Sequence, residues 1–288
     1  MARYVLKNEE LELGFESRGA QLYSVNGRDR DYLWNGDPQH WPWHSPILFP
    51  FVGRAKNFEY RYEEKVYTMK QHGFAREKEF RLLFQSENEI SFSLLWDEES
   101  YSVYPFKFEL ILGYELVENQ IVVKWKVRNL DDKIIHFSIG GHPAFYCPLS
   151  GFGEREDYYL NFYQEQIQYQ LLTKDGLLHR ELYSLPLYQG KYRITEDLFD
   201  LDALIFTQEG SKRLSLCTPD QKPYVSLIFD APVYGIYSPK KKAPFVCIEP
   251  WYGRCDAIDF EGELSEREFG QSLAIGAEFV GGYTMEFC

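Results

Sequence analysis

The chain has 288 residues, enough to bury a large core without disulfide or metal staples. Its 22 tyrosines, 22 phenylalanines and 6 tryptophans bias it toward pleated, half-buried strand surface, and aromatic faces also suit the apolar faces of sugar rings. A formal net charge of -13 excludes the basic footprint that nucleic acid or an anionic membrane surface requires.

The five cysteines, Cys147, Cys217, Cys247, Cys255 and Cys288, are odd in number and widely spaced, with no C-x-x-C among them. That argues against a disulfide framework and a zinc knuckle. The first residues lack the apolar run of a signal peptide, and no stretch approaches the ~18 apolar residues of a membrane span. The expectation is a soluble chain in the reducing cytoplasm.

Strand signals come first and dominate. Phe58, Tyr60 and Tyr62 alternate with Glu59, Arg61 and Glu63, and Glu63-Glu64-Lys65 turns the chain into Val66-Tyr67-Thr68-Met69. This predicts a hairpin. Ile90, Phe92 and Leu94 alternate in the next strand. The clearest hairpin covers 106–130, with its turn at Glu118-Asn119-Gln120. In its second arm Ile121, Val123, Trp125 and Val127 face one way while Val122, Lys124, Lys126 and Arg128 face the other, the mark of an antiparallel sheet with one wet face. Residues 149–200, rich in glycine and charge, predict a long excursion inside the domain. The run Lys240-Lys241-Lys242 reads as a solvated turn, with a hold on a sugar phosphate as its functional alternative. Later strands are predicted at 213–217, 224–229, 245–249 and 276–287. Helical periodicity is scarce, and neither G-x-G-x-x-G nor G-x-x-x-x-G-K occurs. The pattern predicts a mainly all-β chain, a large antiparallel β-sandwich forming one domain over 1–288.

Four segments set reactive groups beside Gly, Pro and aromatics. Leu48-Phe49-Pro50-Phe51-Val52-Gly53-Arg54 ends a strand-like run on Arg54, whose planar fork suits paired oxygens; a surface ion pair is the structural alternative. Gln71-His72-Gly73-Phe74-Ala75-Arg76 puts His72 on a tight bend, where histidines are often structural. Ser138-Ile139-Gly140-Gly141-His142-Pro143-Ala144-Phe145 runs a strand into two glycines and presents His142 before a ladder-stopping proline. Phe245-Val246-Cys247-Ile248-Glu249-Pro250-Trp251 ends an apolar strand on Glu249, which must pair with a cation such as Arg54 or Arg254, or line a cleft. Pro250 then ends the strand and Trp251 floors a sugar pocket.

With F-P-F-V-G-R at Phe49 to Arg54, H-G-F-A-R at His72 to Arg76, G-G-H-P-A-F at Gly140 to Phe145, D-A-L-I-F at Asp202 to Phe206 and F-V-C-I-E-P-W at Phe245 to Trp251, the chain resembles the aldose 1-epimerase (galactose mutarotase) superfamily, in particular its LacX-like branch. The resemblance implies the galactose mutarotase-like supersandwich. It implies interconversion of the α and β anomers of an aldose, an isomerase activity with no cofactor and no metal. His142 matches the general acid on the ring oxygen and Glu249 the general base on the anomeric hydroxyl. Arg54 and His72 match residues that hydrogen-bond the sugar, and Asp202 a carboxylate that grips its hydroxyls. Better-studied galactose mutarotases carry longer motifs around their histidines, so the reaction class transfers further than the sugar. The partner is a small-molecule sugar, phosphorylated or not; the oligomeric state is not legible.

Physically, ring opening needs one proton taken from the C1 hydroxyl and one given to the ring oxygen, by groups on different sides of the sugar. Competing readings are a non-catalytic carbohydrate-binding protein of the same fold, a metal enzyme using His72, His142 and Glu249, and cysteine catalysis by Cys147 beside His142.

Overall fold

The computed structural model describes residues 1–239 and 243–288, so the Lys240-Lys241-Lys242 turn lies outside the described residues. The architecture is antiparallel β throughout its named ladders, with one short α-helix, Glu98–Val103, among the described residues. Asp97 caps that helix, its side chain accepting from the Ser100 N–H while the Ser100 hydroxyl accepts from the Asp97 N–H.

A nine-stranded sheet forms the platform. Its order is Lys191–Arg193, Tyr159–Asn161, Arg213–Cys217, Pro223–Phe229, Glu278–Phe287, Gln120–Asn129, Phe108–Val117, Glu89–Leu95 and Arg81–Gln85. Alternation is visible in burial: along Gln120–Asn129 the residues Ile121, Val123, Trp125 and Val127 are buried and those between them are not. The hairpin at its centre pairs Val117 with Gln120, so the turn is the two residues Glu118-Asn119, not three. Glu118 takes φ 52°, the left-handed twist that two-residue hairpin turns need. The hairpin at Glu59–Tyr62 and Lys65–Thr68 stands where the sequence predicts it.

A four-stranded sheet (Arg3–Lys7, Glu12–Glu16, Gln21–Gly27, Arg30–Asp31) packs on the platform through Phe15, whose ring centroid lies 4.9 Å from that of Tyr114. A smaller sheet carries Leu204–Thr207, Val233–Tyr237, Phe245–Tyr252, Ile139–Gly141 and Ile47–Leu48, with Ala144–Tyr146 also paired to Phe245–Tyr252. Tyr252 meets Trp125 of the platform edge-on at 6.4 Å, and Phe145 meets Phe287 at 6.4 Å. One apolar core draws on all three sheets, from Leu6 to Phe287. Each fully buried large side chain contributes roughly 1.5–3 kcal/mol against exposure, so this shared core is the main adhesive between layers.

The 149–200 excursion carries strands of its own: Tyr159–Asn161 and Lys191–Arg193 extend the nine-stranded sheet. One expectation changes. The Glu249 strand does not end at Pro250 but runs on to Tyr252. Its neighbouring chain pairs with Tyr252 and Trp251, breaks at His142-Pro143, then pairs with Cys247, Val246 and Phe245. Pro250 stands opposite that break, where a missing backbone donor interrupts no ladder. Among the described residues no helix is long and apolar enough to cross a membrane.

Candidate active site

The break in the ladder creates the site. At His142 the chain leaves one strand and joins the next, and the His142 N–H goes to the Pro46 carbonyl at 3.1 Å instead of to a sheet partner. The imidazole is thereby swung over the face of Phe245–Tyr252 that carries Cys247, Glu249 and Trp251. Its Nε2 lies 3.1 Å from Oε2 of Glu249. Both residues are buried, at 6 % and 1 % exposure, and both line a hollow of about 320 Å³. That is the lower end of the size range for small-ligand sites.

Gly140, the first of the two glycines before His142, has a spatial reason. A Cβ on Gly140 would stand 2.4 Å from the Trp251 ring, and one on Gly235, across the strand, 2.5 Å from it. Trp251 needs both glycines to lie flat in the wall of the hollow, with its indole N–H unpartnered. Gly53 also has no substitute: it takes φ 68°, and a Cβ there would meet Cys255 at 2.5 Å. The Gly53 N–H donates to Nδ1 of His72 at 3.2 Å, and His72 Nε2 lies 3.3 Å from the side-chain amide nitrogen of Gln71, which also lines the hollow. His72, at φ 67°, crosses His142 edge-on at 5.6 Å.

Electrostatics follow from dryness. Burial pushes His142 down to about 3, with the Arg76 guanidinium acting the same way. Burial, then His142 and Arg76, hold His72 well below its ordinary value. Glu249 is held well above the carboxylate range, first by burial and then by Asp202. Burial thus disfavours the charged form of both groups, raising Glu249 and lowering His142. His142 Nδ1 has no hydrogen-bond partner, and neither has Glu249 Oε2, whose 3.1 Å approach to His142 Nε2 does not form a hydrogen bond. Buried polar atoms without partners at a cavity wall are positions a ligand can satisfy.

The residues read from the sequence sort into wall, rim and outside. His142, Glu249, His72 and Trp251 line the hollow. Asp202 lies exposed at its rim, at φ 75°, with its carboxylate accepting from the Ala203 N–H at 2.7 Å. Arg54 is not among the described lining residues. Its guanidinium stacks on Phe58 and donates to the Asp175 carbonyl. The arginine in the hollow is Arg76, four residues after His72, carried by the 3₁₀ turn Ala75–Glu77 and stacked on Trp43 at 4.9 Å. Its Nε is buried without a partner. Sequence reasoning quoted Arg76 in its motif without giving it a role. It passed over Trp41, which stacks on the His142 ring at 4.6 Å and 28°, and Tyr237, which meets that ring edge-on. The signal for Trp41 was its place in Trp41-Pro42-Trp43, an aromatic pair with no strand pattern around it.

Glu249 pairs with neither Arg54 nor Arg254; Arg254 is held by Glu268 and Gln170. A larger, open hollow of about 1030 Å³ lies beyond Ile205, but there Arg254 and Arg180 already have carboxylate partners. Cys147 is buried in the main core, its thiol pushed up by burial, and the cysteine beside His142 is Cys247.

The aldose 1-epimerase family model matches residues 2–268. The chain belongs to the aldose 1-epimerase family. It is 33 % identical over 275 residues to protein LacX (plasmid) of Lactococcus lactis subsp. lactis, covering 91 % of each chain. A galactose mutarotase related enzyme from Lactobacillus acidophilus superposes with TM-score 0.94 at 34 % identity, over 100 % of this chain and 97 % of that one. A galactose mutarotase-like protein from Lactobacillus casei does so with TM-score 0.92 at 28 % identity, over the whole of both chains. The LacX-like, supersandwich reading of the sequence stands. Galactose 1-epimerase from Lactobacillus acidophilus shares the fold, with TM-score 0.74 at 15 % identity over 99 % of this chain and 93 % of that one.

Proposed function

We propose that this family member is an active aldose 1-epimerase that opens and recloses an aldose ring, with Glu249 as base toward the C1 hydroxyl and His142 as acid toward the ring oxygen. The observation that carries the reading is the 3.1 Å approach of the two groups in the wall of a sugar-sized hollow. The C1 hydroxyl and the ring oxygen share one carbon. One edge of the sugar then meets both groups, so acid and base need not stand on different sides of it.

The proton count also fits. The chemistry needs one proton across the pair, and burial, which disfavours charge on both groups, is compatible with that count. Before a sugar binds, the directions of the two shifts favour Glu249 as its holder. Sugar hydroxyls donating to the carboxylate favour its ionised form and move the proton to His142. Glu249 then takes the C1 hydroxyl proton as His142 gives its own to the ring oxygen. The chain opens to the aldehyde, C1 rotates, and the same pair reverses the step. His72, Trp251 and Asp202 are proposed to hold the sugar, Trp251 with its ring face and Asp202 from the rim. Arg54 acts only indirectly, through the segment it packs. Five unpaired cysteines support the cytoplasm as compartment.

Fresh α-glucose, α-galactose and their 6-phosphates would each be followed by polarimetry with and without the protein. Exchange of at least one faster than buffer is expected; failure with every aldose, with binding retained, would leave a carbohydrate-binding protein instead. The phosphorylated sugars belong in the panel because Arg76, a cation with an unpartnered buried Nε, lines the hollow.

A further inference from the structure

Strand periodicity puts a thiol beside the proposed acid and base. Side chains alternate along a strand, so Cys247 and Glu249 project from the same face of Phe245–Tyr252. His142 crosses that face. One nitrogen of His142, the Cys247 sulfur and one Glu249 oxygen all lie within 4.8 Å of one another, and all three residues are buried. Glu249 Oε2, in this cluster, has no hydrogen-bond partner. Sugar chemistry gives the thiol nothing to do, and Cys247 does not itself line the hollow among the described residues.

We propose that His142, Cys247 and Glu249 form a binding site for a borderline-soft divalent cation of the zinc class, and that bound metal and bound sugar exclude each other. Three protein ligands of nitrogen, sulfur and oxygen type with one position open to a cavity is the ligand set of zinc sites that keep an exchangeable position. Bond lengths of ~2.0–2.3 Å set tetrahedral donor separations of about 3.3–3.7 Å. The 3.1 Å nitrogen–oxygen pair is already near that value, and the sulfur must close by little more than an ångström. On binding, protons held by the thiol and carboxyl pass to solvent. Thiolate and carboxylate then neutralise the divalent charge, and a neutral assembly is what a dry site tolerates. Magnesium and calcium are disfavoured, because they require shells of oxygen ligands. His142 Nδ1 lacks the partner that usually orients a metal-bound histidine, so the metal is expected to exchange rather than reside.

The test is a Co²⁺ titration of the chelator-treated protein, read by thiolate-to-cobalt charge-transfer absorption. One Co²⁺ per chain is expected, displaced by Zn²⁺ and by whichever sugar the protein binds. Cys247→Ser and Cys247→Ala should both lose the band, while Cys255→Ser, which alters the thiol that lines the hollow, should keep it. No band in the unmutated protein, or a band that survives in a folded Cys247 variant, overturns the proposal. A band unaffected by a saturating sugar overturns the mutual exclusion. Polarimetry with each protein's rate taken as a ratio with and without Zn²⁺ adds a second readout, with zinc inhibition at least tenfold weaker in the Cys247 variants. A cobalt band without anomer exchange would sink the epimerase reading and leave the metal site standing.

Discussion

The nine-stranded platform and the smaller sheet that bears the site are made of differently patterned strands. Along Gln120–Asn129 buried and accessible residues alternate, and Lys124, Lys126 and Arg128 meet Glu115, Glu278 and Glu109 on the accessible face. Those pairs are exposed enough to be screened, and each contributes little. Along Phe245–Tyr252 every residue but the last is buried. Glu278, which faces Lys126 on the accessible side, is held below the carboxylate range by that hydrogen bond, whereas Glu249 is buried in its strand and pushed well above it. The same residue type becomes structural or chemical according to how many faces of its strand are covered.

Substitutions in the two sheets should separate the roles. The largest expected effect is on chemistry: Glu249→Gln and His142→Asn should each lower kcat/KM for anomer exchange by roughly 10²–10⁴-fold, measured by polarimetry, with the unfolding midpoint retained. Full rate in both variants would end the assignment. In the platform, Phe92, which is fully buried, should behave oppositely. Phe92→Ala should cost ~3–5 kcal/mol in urea unfolding while folded protein keeps its kcat.

Arg76→Ala comes next, removing charge-assisted hydrogen bonds to the sugar of roughly 1.5–3 kcal/mol. It should raise KM by about 10- to 100-fold with a smaller change in kcat. A normal KM for every tested sugar would place Arg76 outside recognition.

The dry histidines also make a pH prediction. His142 and His72 sit well below their ordinary values when folded and return to about 6.5 when unfolded. Below pH 6.5 the unfolded chain therefore binds more protons, and stability falls with pH by up to ~1.4 kcal/mol per unit for each histidine. Glu249, raised when folded, works the other way, its contribution fading as pH rises above 4.5. Two histidines outweigh one glutamate between pH 7 and pH 5, for a net loss of roughly 1 kcal/mol in urea unfolding. His72→Gln should flatten that slope, and an unchanged slope would mean His72 is charged in the fold.

The smallest expected effect is that of Arg54→Ala. With its guanidinium on Phe58 and the Asp175 carbonyl, its loss should change the rate by about twofold or less, ~0.5 kcal/mol, the usual scale for a surface substitution. A loss comparable to that of Arg76→Ala would put Arg54 at the sugar.

The wall of the site was legible because its residues break local rules: a histidine between two glycines and a proline, and a glutamate in an apolar strand. Arg54 and Arg76 were not separable, since each follows a glycine-bearing segment and a sequence does not say which loop turns inward. The structure decides it through Gly53, whose close approach to Cys255 sets a backbone N–H on His72, while Arg54 beyond it stacks on Phe58 and donates to the Asp175 carbonyl. Trp41 could not be found by periodicity, because its stack on His142 joins segments a hundred residues apart.

By itself the sequence determined the strand-rich class, the alternating platform and the reactive residue types, because period-2 patterning and local punctuation are properties of neighbours along the chain. Only the tertiary structure decided which of those groups share a hollow, and that burial pushes Glu249 up and His142 down. Desolvation depends on what packs from every direction, and no stretch of sequence carries that.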